Sequence, residues 1–164
     1  MMVAVAAAVR QAVASVTPVA IGFKWPNDLL IEEGPCPGKL AGVLAEYVAG
    51  TPGAIIVGVG LNVGQIDWDG ATSVTAVGAT ADRDHILSLV LENLAPLRDK
   101  PTLALAELRS HSFALGRSVR IELPGGTSVE GVAVDLGLTG ELIVDVGGKL
   151  RSFSAGDVVH LRPA

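Results

Sequence analysis

Three short stretches hold most of the polar chemistry of an otherwise aliphatic chain: "KWPND" (24–28), "GKLAGVLAE" (38–46) and "GVGLNV" (58–63). In the first stretch, Lys24 ends an apolar run, Trp25 offers a flat apolar surface, and Asn27 and Asp28 follow the proline. A lysine suits a phosphate, an amide suits the edge of a purine, and a carboxylate suits a magnesium ion on that phosphate. The same residues also suit an ordinary hairpin in which Asn27 and Asp28 cap the turn.

The second stretch places a lysine at the start of a predicted strand. Lys39 is followed by Gly42, and a glycine inside a strand indicates a close approach of backbone or ligand. A lone lysine at this position is equally compatible with a solvated surface charge. Regular strand alternation places Glu46 on the face opposite Lys39, so we expect no pairing between them.

The third stretch combines two glycines near a strand end with an amide. Gly58 and Gly60 would let a ligand lie against bare backbone, and Asn62 would offer it an amide. The stretch is not a dinucleotide-binding fingerprint, because the third glycine and the following helix pattern are missing. The sequence also contains no P-loop and no nucleophile elbow, and its three histidines and one cysteine are too scattered for a zinc site.

The composition limits the number of domains, the kinds of partner and the cellular location that we expect. The chain has 164 residues, of which 49% are hydrophobic and 4% aromatic, so it can build a core of Val, Ala and Leu for one domain and a small second one. A formal net charge of -5 argues against a nucleic-acid partner. The single cysteine, Cys36, favours a cytoplasmic location. The apolar run after Met1 contains Arg10, lacks a preceding basic region and is too short to span a bilayer, so we predict a buried helix and no membrane association; a signal peptide is the alternative.

The secondary structure predicted around these residues is a helix, a meander of four strands and two further helices. A helix is predicted over 3–16, and strands are predicted at "VAIGFK", "DLLIE", "LAGVLAEYV" and "AIIVGVG". Residues 62–80 are predicted to be a loop. Two amphipathic helices follow, with Asp82 and Thr102 as their predicted N-caps.

After Gly116 the sequence pattern changes to short valine-rich runs separated by glycine pairs. This spacing is typical of a small all-β barrel of the SH3-like kind. We therefore predict a first domain over 1–115 and a C-terminal barrel over 116–164.

The three motifs in this order, followed by two helices and a small barrel, resemble the biotin protein ligases. That resemblance implies an α+β fold: a class II synthetase-like catalytic domain with a mixed or antiparallel sheet and helices, then an SH3-like barrel. It implies an enzyme that uses ATP to form biotinyl-adenylate and passes biotin to a lysine of a biotin carboxyl carrier protein. The implied substrates are biotin and ATP with magnesium, and the implied assembly is a monomer or a homodimer.

The resemblance also implies roles for individual residues. The catalytic residues would be Lys39, Lys24 and Asp28, with Lys39 bridging the biotin carboxylate and the nucleotide phosphate. The other roles fall into three sets: biotin binding by Lys39, Gly42, Leu44, Gly58 and Gly60; nucleotide binding by Lys24, Asn27 and Asn62; and magnesium binding by Asp28. Because the reaction needs positioning and charge stabilisation rather than an enzyme nucleophile, the absence of a catalytic triad is expected.

One family feature does not occur in these 164 residues. The Gly/Arg-rich loop that holds the adenylate is missing, and so is the family's optional DNA-binding domain. We therefore expect the chain to correspond to a catalytic domain without its first third to half, and to have little or no ligase activity alone. Two alternatives remain: a truncated non-catalytic interaction protein, and a lipoate-type acyl ligase that shares the fold.

Overall fold

A computed structural model describes residues 1–50, 53–80 and 82–160. The N-terminal part comprises α1 (Met2–Ala14), β1 (Gly22–Lys24), β2 (Asp28–Ile31), β3 (Gly38–Tyr47), β4 (Ile55–Leu61), α2 (Arg83–Asp99) and α3 (Pro101–Ser110). The C-terminal part comprises β5 (Ser118–Glu122), β6 (Ser128–Leu136), β7 (Leu142–Val146), β8 (Lys149–Phe153) and β9 (Asp157–His160). The α+β class and the order of elements are as predicted.

The first sheet is the predicted antiparallel meander, with strand order β1-β2-β3-β4. Helix α1 packs against β3, α2 and α3, and its alanines and valines are almost all buried. Small side chains let this helix approach β3 closely, and Leu40 and Val43 of that strand are buried. One face of the sheet is therefore core, and the opposite face stays open.

A β-bulge in β3 decides which residues reach that open face. Leu30 pairs with Lys39 and Leu29 pairs with Ala41, so Leu40 is the extra residue. Both Leu40 and Ala41 are buried, and the alternation is reset by one position after them.

The bulge corrects one sequence prediction. Glu46 lies on the same open face as Lys39, together with Leu44, because the extra residue cancels the regular alternation between them. The expected absence of pairing still holds, since Lys39 forms its ion pair with Asp28.

The C-terminal strands form a second antiparallel sheet in the order β8-β7-β6-β5-β9, closed around Val119, Ile121, Leu142 and Val144. Its tightest hairpin turns at Gly147 and Gly148, whose φ angles of 62° and 86° suit the two-residue turn between β7 and β8. The last predicted run divides into β8 and β9. Residues 161–164 of the predicted barrel lie outside the described residues, and the boundary at residue 116 stays a prediction.

The helix caps were predicted with mixed success. Asp82 caps α2 by accepting a 2.7 Å hydrogen bond from the backbone N–H of His85. The predicted cap at Thr102 is wrong, because α3 begins at Pro101, whose fixed φ suits the first helical position. Among the helices of the described ranges, we find none with the length and apolarity needed to cross a membrane.

Candidate functional site

A row of four paired residues crosses the open face of the first sheet. Lys24 pairs with Asp28, Asp28 with Gly42, and Gly42 with Gly60. Directly paired residues of an antiparallel sheet project to the same side. The hairpin and the two glycine-containing strands therefore meet in one line, although they come from three separate motifs.

An open cleft of about 340 Å³ lies at the glycine end of this row. Two glycines form part of its floor, because neither Gly42 nor Gly60 projects a side chain into it. The lining residues come from β3, β4 and the following loop: Lys39, Ala41, Gly42, Gly60, Asn62, Ile66, Trp68, Asp69, Gly70 and Ala71. A cleft of this size suits a small organic ligand.

Lys39 and Asp28 form the central ion pair of the site. The Lys39 ammonium lies 2.7 Å from Asp28 Oδ1, and the two side chains are 50% and 18% exposed. Oδ1 is shielded from water and receives no well-aligned hydrogen bond from the described residues, so its compensation is the lysine charge. A Cβ at Gly42 would lie 3.4 Å from that oxygen and 3.5 Å from the Lys39 ammonium, in ordinary van der Waals contact, so Gly42 lies directly beside the pair.

Asn62 attaches the loop to the strand that carries Lys39. Its side-chain amide donates to the backbone carbonyls of Lys39 at 3.2 Å and Thr72 at 3.0 Å. Backbone hydrogen bonds from Lys39 to Gly70 and from Thr72 to Lys39 reinforce the junction. Because both amide hydrogens are used, Asn62 can offer a ligand its carbonyl oxygen.

The loop side of the cleft was missed at the level of sequence. Residues 62–80 were predicted as a loop in which only Asn62 had a chemical role, yet Ile66, Trp68 and Asp69 also line the cleft. The Trp68 side chain is 76% exposed, which is unusual for so large an apolar group. A tryptophan inside a polar loop, with no strand or helix to bury it, was the available signal.

The β1–β2 hairpin, which carries the "KWPND" stretch, is joined to the barrel. Lys24 Nζ lies 2.9 Å from Asp157 Oδ1, and the Trp25 indole N–H donates to the Gly140 carbonyl at 3.0 Å. Trp25 is only 6% exposed, so it does not offer the flat ligand surface expected of it. With Lys24, Asn27 and the rest of the motif, it lines a separate narrow cavity against α1 and the barrel.

The remaining predicted positions share the open face but lie outside the cleft lining. Leu44 pairs with Gly58, two residues along the strands from the Gly42–Gly60 pair, and the Leu44 side chain is exposed. The structure thus brings Lys39, Gly42, Gly60 and Asn62 into one cleft, with Asp28 in contact through its ion pair.

The sequence comparisons bear on both parts of the chain. A family profile described as "Biotin protein ligase C terminal domain" matches residues 114–161. In an alignment of 158 positions that covers 90% of this chain, the chain is 44% identical to the biotin--[acetyl-CoA-carboxylase] ligase of Mycobacterium tuberculosis. The chain belongs to the biotin protein ligase family. It spans 56% of the length of that curated ligase.

Solved ligase structures share the fold. The apo biotin protein ligase of Aquifex aeolicus matches with a TM-score of 0.78 at 25% identity, covering 98% of this chain and 74% of that one. The same ligase in complex with biotin and ATP matches with a TM-score of 0.73 at 24% identity, covering 99% and 72%. The arrangement of sheet, helices and SH3-like barrel is therefore that of a biotin protein ligase.

Proposed function

We propose that this chain carries the lysine side of an ATP-dependent biotin protein ligase site. In this proposal the protein forms biotinyl-adenylate and transfers biotin to a lysine of a biotin carboxyl carrier protein in the cytoplasm. The observation that carries the proposal is the cleft in which Lys39 stands beside the bare backbone of Gly42 and Gly60. The 44% identity to a ligase supports the same activity.

The chemistry of the first step explains the residues of the cleft. A biotin carboxylate oxygen attacks the α-phosphate of ATP, and pyrophosphate leaves as the mixed anhydride forms. Two anions must approach each other, so a cation between them lowers the barrier. In this proposal Lys39 supplies that cation, because its half-exposed ammonium stays accessible to a ligand oxygen.

The assignment of the biotin and nucleotide contacts rests on the family resemblance and on the open face of the first sheet. Gly42, Leu44, Gly58 and Gly60 would border biotin along the open face, while Lys24, Asn27 and the Asn62 carbonyl oxygen would face the nucleotide. In the second step the carrier lysine amine attacks the acyl carbon, and AMP leaves. We propose no enzyme nucleophile for either step.

A magnesium ion fits this site only together with substrate phosphates. Within the described ranges, no three His, Cys, Asp or Glu side chains gather as a ready-made metal site. Magnesium commonly binds through one or two carboxylates plus phosphates, and Asp28 supplies one shielded oxygen with no aligned donor. The ion would help to neutralise the phosphate charge.

Trp68 provides a direct test of ligand entry. The chain has two tryptophans, of which Trp25 is buried and Trp68 lies exposed at the cleft. Titration with biotin and a nonhydrolysable ATP analogue should shift the Trp68 emission to shorter wavelength, and Trp68→Phe should remove the shift. No change in the wild-type emission, in a folded sample, would contradict the proposal.

The activity of the 164-residue chain alone is a separate part of the proposal. We expect little or no biotinylation of a carrier domain, because the Gly/Arg-rich loop is not among these residues. A biotinylation assay with ATP and magnesium measures this directly. Rapid transfer would overturn the low-activity expectation while supporting the ligase assignment.

A further inference from the structure

The C-terminal barrel contacts the β1–β2 hairpin at two adjacent residues, Lys24 and Trp25. Asp157, at the first position of β9, pairs with Lys24, while Gly140 in the β6–β7 turn accepts the Trp25 indole N–H. The two contacts come from separate elements of the barrel, strand β9 and the β6–β7 turn, and involve neighbouring positions at the end of β1. Such paired contacts restrict both the position and the twist of the hairpin.

The restriction continues into the cleft. Lys24 lies opposite Asp28, and the Asn27 carbonyl accepts a 2.9 Å hydrogen bond from the backbone N–H of Val43. Val43 follows Gly42, which packs beside the Lys39–Asp28 pair. An unbroken series of contacts therefore joins the barrel to the charged centre of the site.

We propose that Asp157 is a positioning residue for the nucleotide half of the site, holding Lys24 at the end of the row that leads to Lys39. This inference rests on the proposed function. Lys24 is a long side chain with many rotamers, and a partner carboxylate 2.9 Å from its ammonium restricts them. Asp157 itself need not touch a ligand, since it acts through the lysine.

The charge pattern favours positioning over competition with phosphate. Lys24 is 26% exposed, whereas Asp157 is 62% exposed, so the carboxylate lies on the solvent side of the lysine. An exposed carboxylate can hold the lysine while leaving other ammonium hydrogens free for a phosphate.

The variant Asp157→Asn tests the inference with a matched control. Glu130→Gln breaks a comparably exposed pair with Arg120 inside the barrel, at 2.8 Å. We expect Asp157→Asn to weaken binding of a nonhydrolysable ATP analogue about fivefold, as for an exposed ion pair, and to leave biotin affinity unchanged. Asp157→Glu should restore most of the affinity, and Glu130→Gln should change neither ligand.

Two further outcomes separate this inference from the proposed function. In a Lys24→Met background, Asp157→Asn should have no additional effect, because the carboxylate acts through that lysine. Equal or tighter nucleotide binding by folded Asp157→Asn would overturn the positioning role alone. A wild-type chain that binds no nucleotide would overturn the proposed function and this inference with it.

Discussion

The Lys39 ammonium and Asp28 Oδ1 lie 2.7 Å apart on adjacent strands, so the two charged groups assigned to the centre of the site neutralise each other. An anionic ligand at Lys39 must therefore either share the ammonium with this carboxylate or displace it. The role of Lys39 in binding can accordingly be measured separately from the contribution of the ion pair to stability.

Replacing Lys39 by methionine should weaken binding of a biotinyl-adenylate analogue at least tenfold, because a charged hydrogen bond is worth about 1.5–3 kcal/mol. The same change should destabilise the fold by about 1 kcal/mol, since it leaves the Asp28 carboxylate without its partner. The double variant Lys39→Met/Asp28→Asn should recover stability in a denaturant titration and still bind poorly. Recovery of binding by the double variant would refute a direct ligand role for Lys39.

Filling the cleft floor should block the site without unfolding the protein. No described atom lies within 4 Å of a Cβ at Gly60 or at Gly64, so valine fits at both positions. Gly60→Val places its methyl groups in the cleft and should abolish ligand binding in calorimetry, whereas Gly64, which is not among the lining residues, serves as the matched control. Equal binding by both variants would show that the ligand lies elsewhere.

Breaking the Arg10–Glu107 pair should cost substantial stability. The pair joins α1 to α3 at 2.8 Å with both side chains mostly buried, and Arg10 also donates to the Ile21 carbonyl at 3.1 Å. Burial lowers the pKa of Arg10, and the charge and hydrogen bond of Glu107 counteract this. Glu107→Gln should therefore cost about 2 kcal/mol, which corresponds to about 4–8 °C in Tm, while the exposed Glu130→Gln should cost under about 0.5 kcal/mol. Similar losses for the two variants would contradict this account.

The stability contributed by the turn that contains Gly140 should decrease at acidic pH. The Thr139 hydroxyl and backbone N–H donate to the Glu141 carboxylate and lower its pKa. A lowered folded-state pKa means stabilisation that is present above the unfolded value of about 4.3 and is lost as the pH falls through the folded value. The Tm difference between wild type and Glu141→Gln should accordingly shrink below about pH 4. Thr139→Val should mimic the glutamine variant at neutral pH, and a difference independent of pH would rule out this carboxylate as its source.

Much of the fold was predictable because its signals are local. Alternating apolar runs, glycine pairs and the Asp82 cap depend on neighbouring residues, so the meander, the helices and the barrel could be predicted. The bulge at Leu40 could not, because it depends on how β2 and β3 pair. That one extra residue placed Glu46 on the open face.

The residues of the candidate site that lie in the three motifs could be predicted, and those outside the motifs could not. Lys39, Gly42 and Gly60 share a cleft as expected from the resemblance, but Trp25 turned inward to the barrel. Its partner, Gly140, is remote in sequence and contributes only a backbone carbonyl, which leaves no trace in residue type. A tryptophan in a polar loop was a signal, but it could not place Trp68 at the cleft, since the path of a loop depends on backbone hydrogen bonds such as that from Lys39 to Gly70.

We propose above all that the Lys39 cleft binds the biotinyl-adenylate. The most direct test is a calorimetric titration of the purified 164-residue chain with a nonhydrolysable biotinyl-adenylate analogue, with the lipoyl counterpart in parallel. We expect one binding site per chain, a clear preference for the biotinyl compound over the lipoyl compound, and loss of binding in Gly60→Val. Absence of binding in a folded sample, or undiminished binding by Gly60→Val, would contradict it.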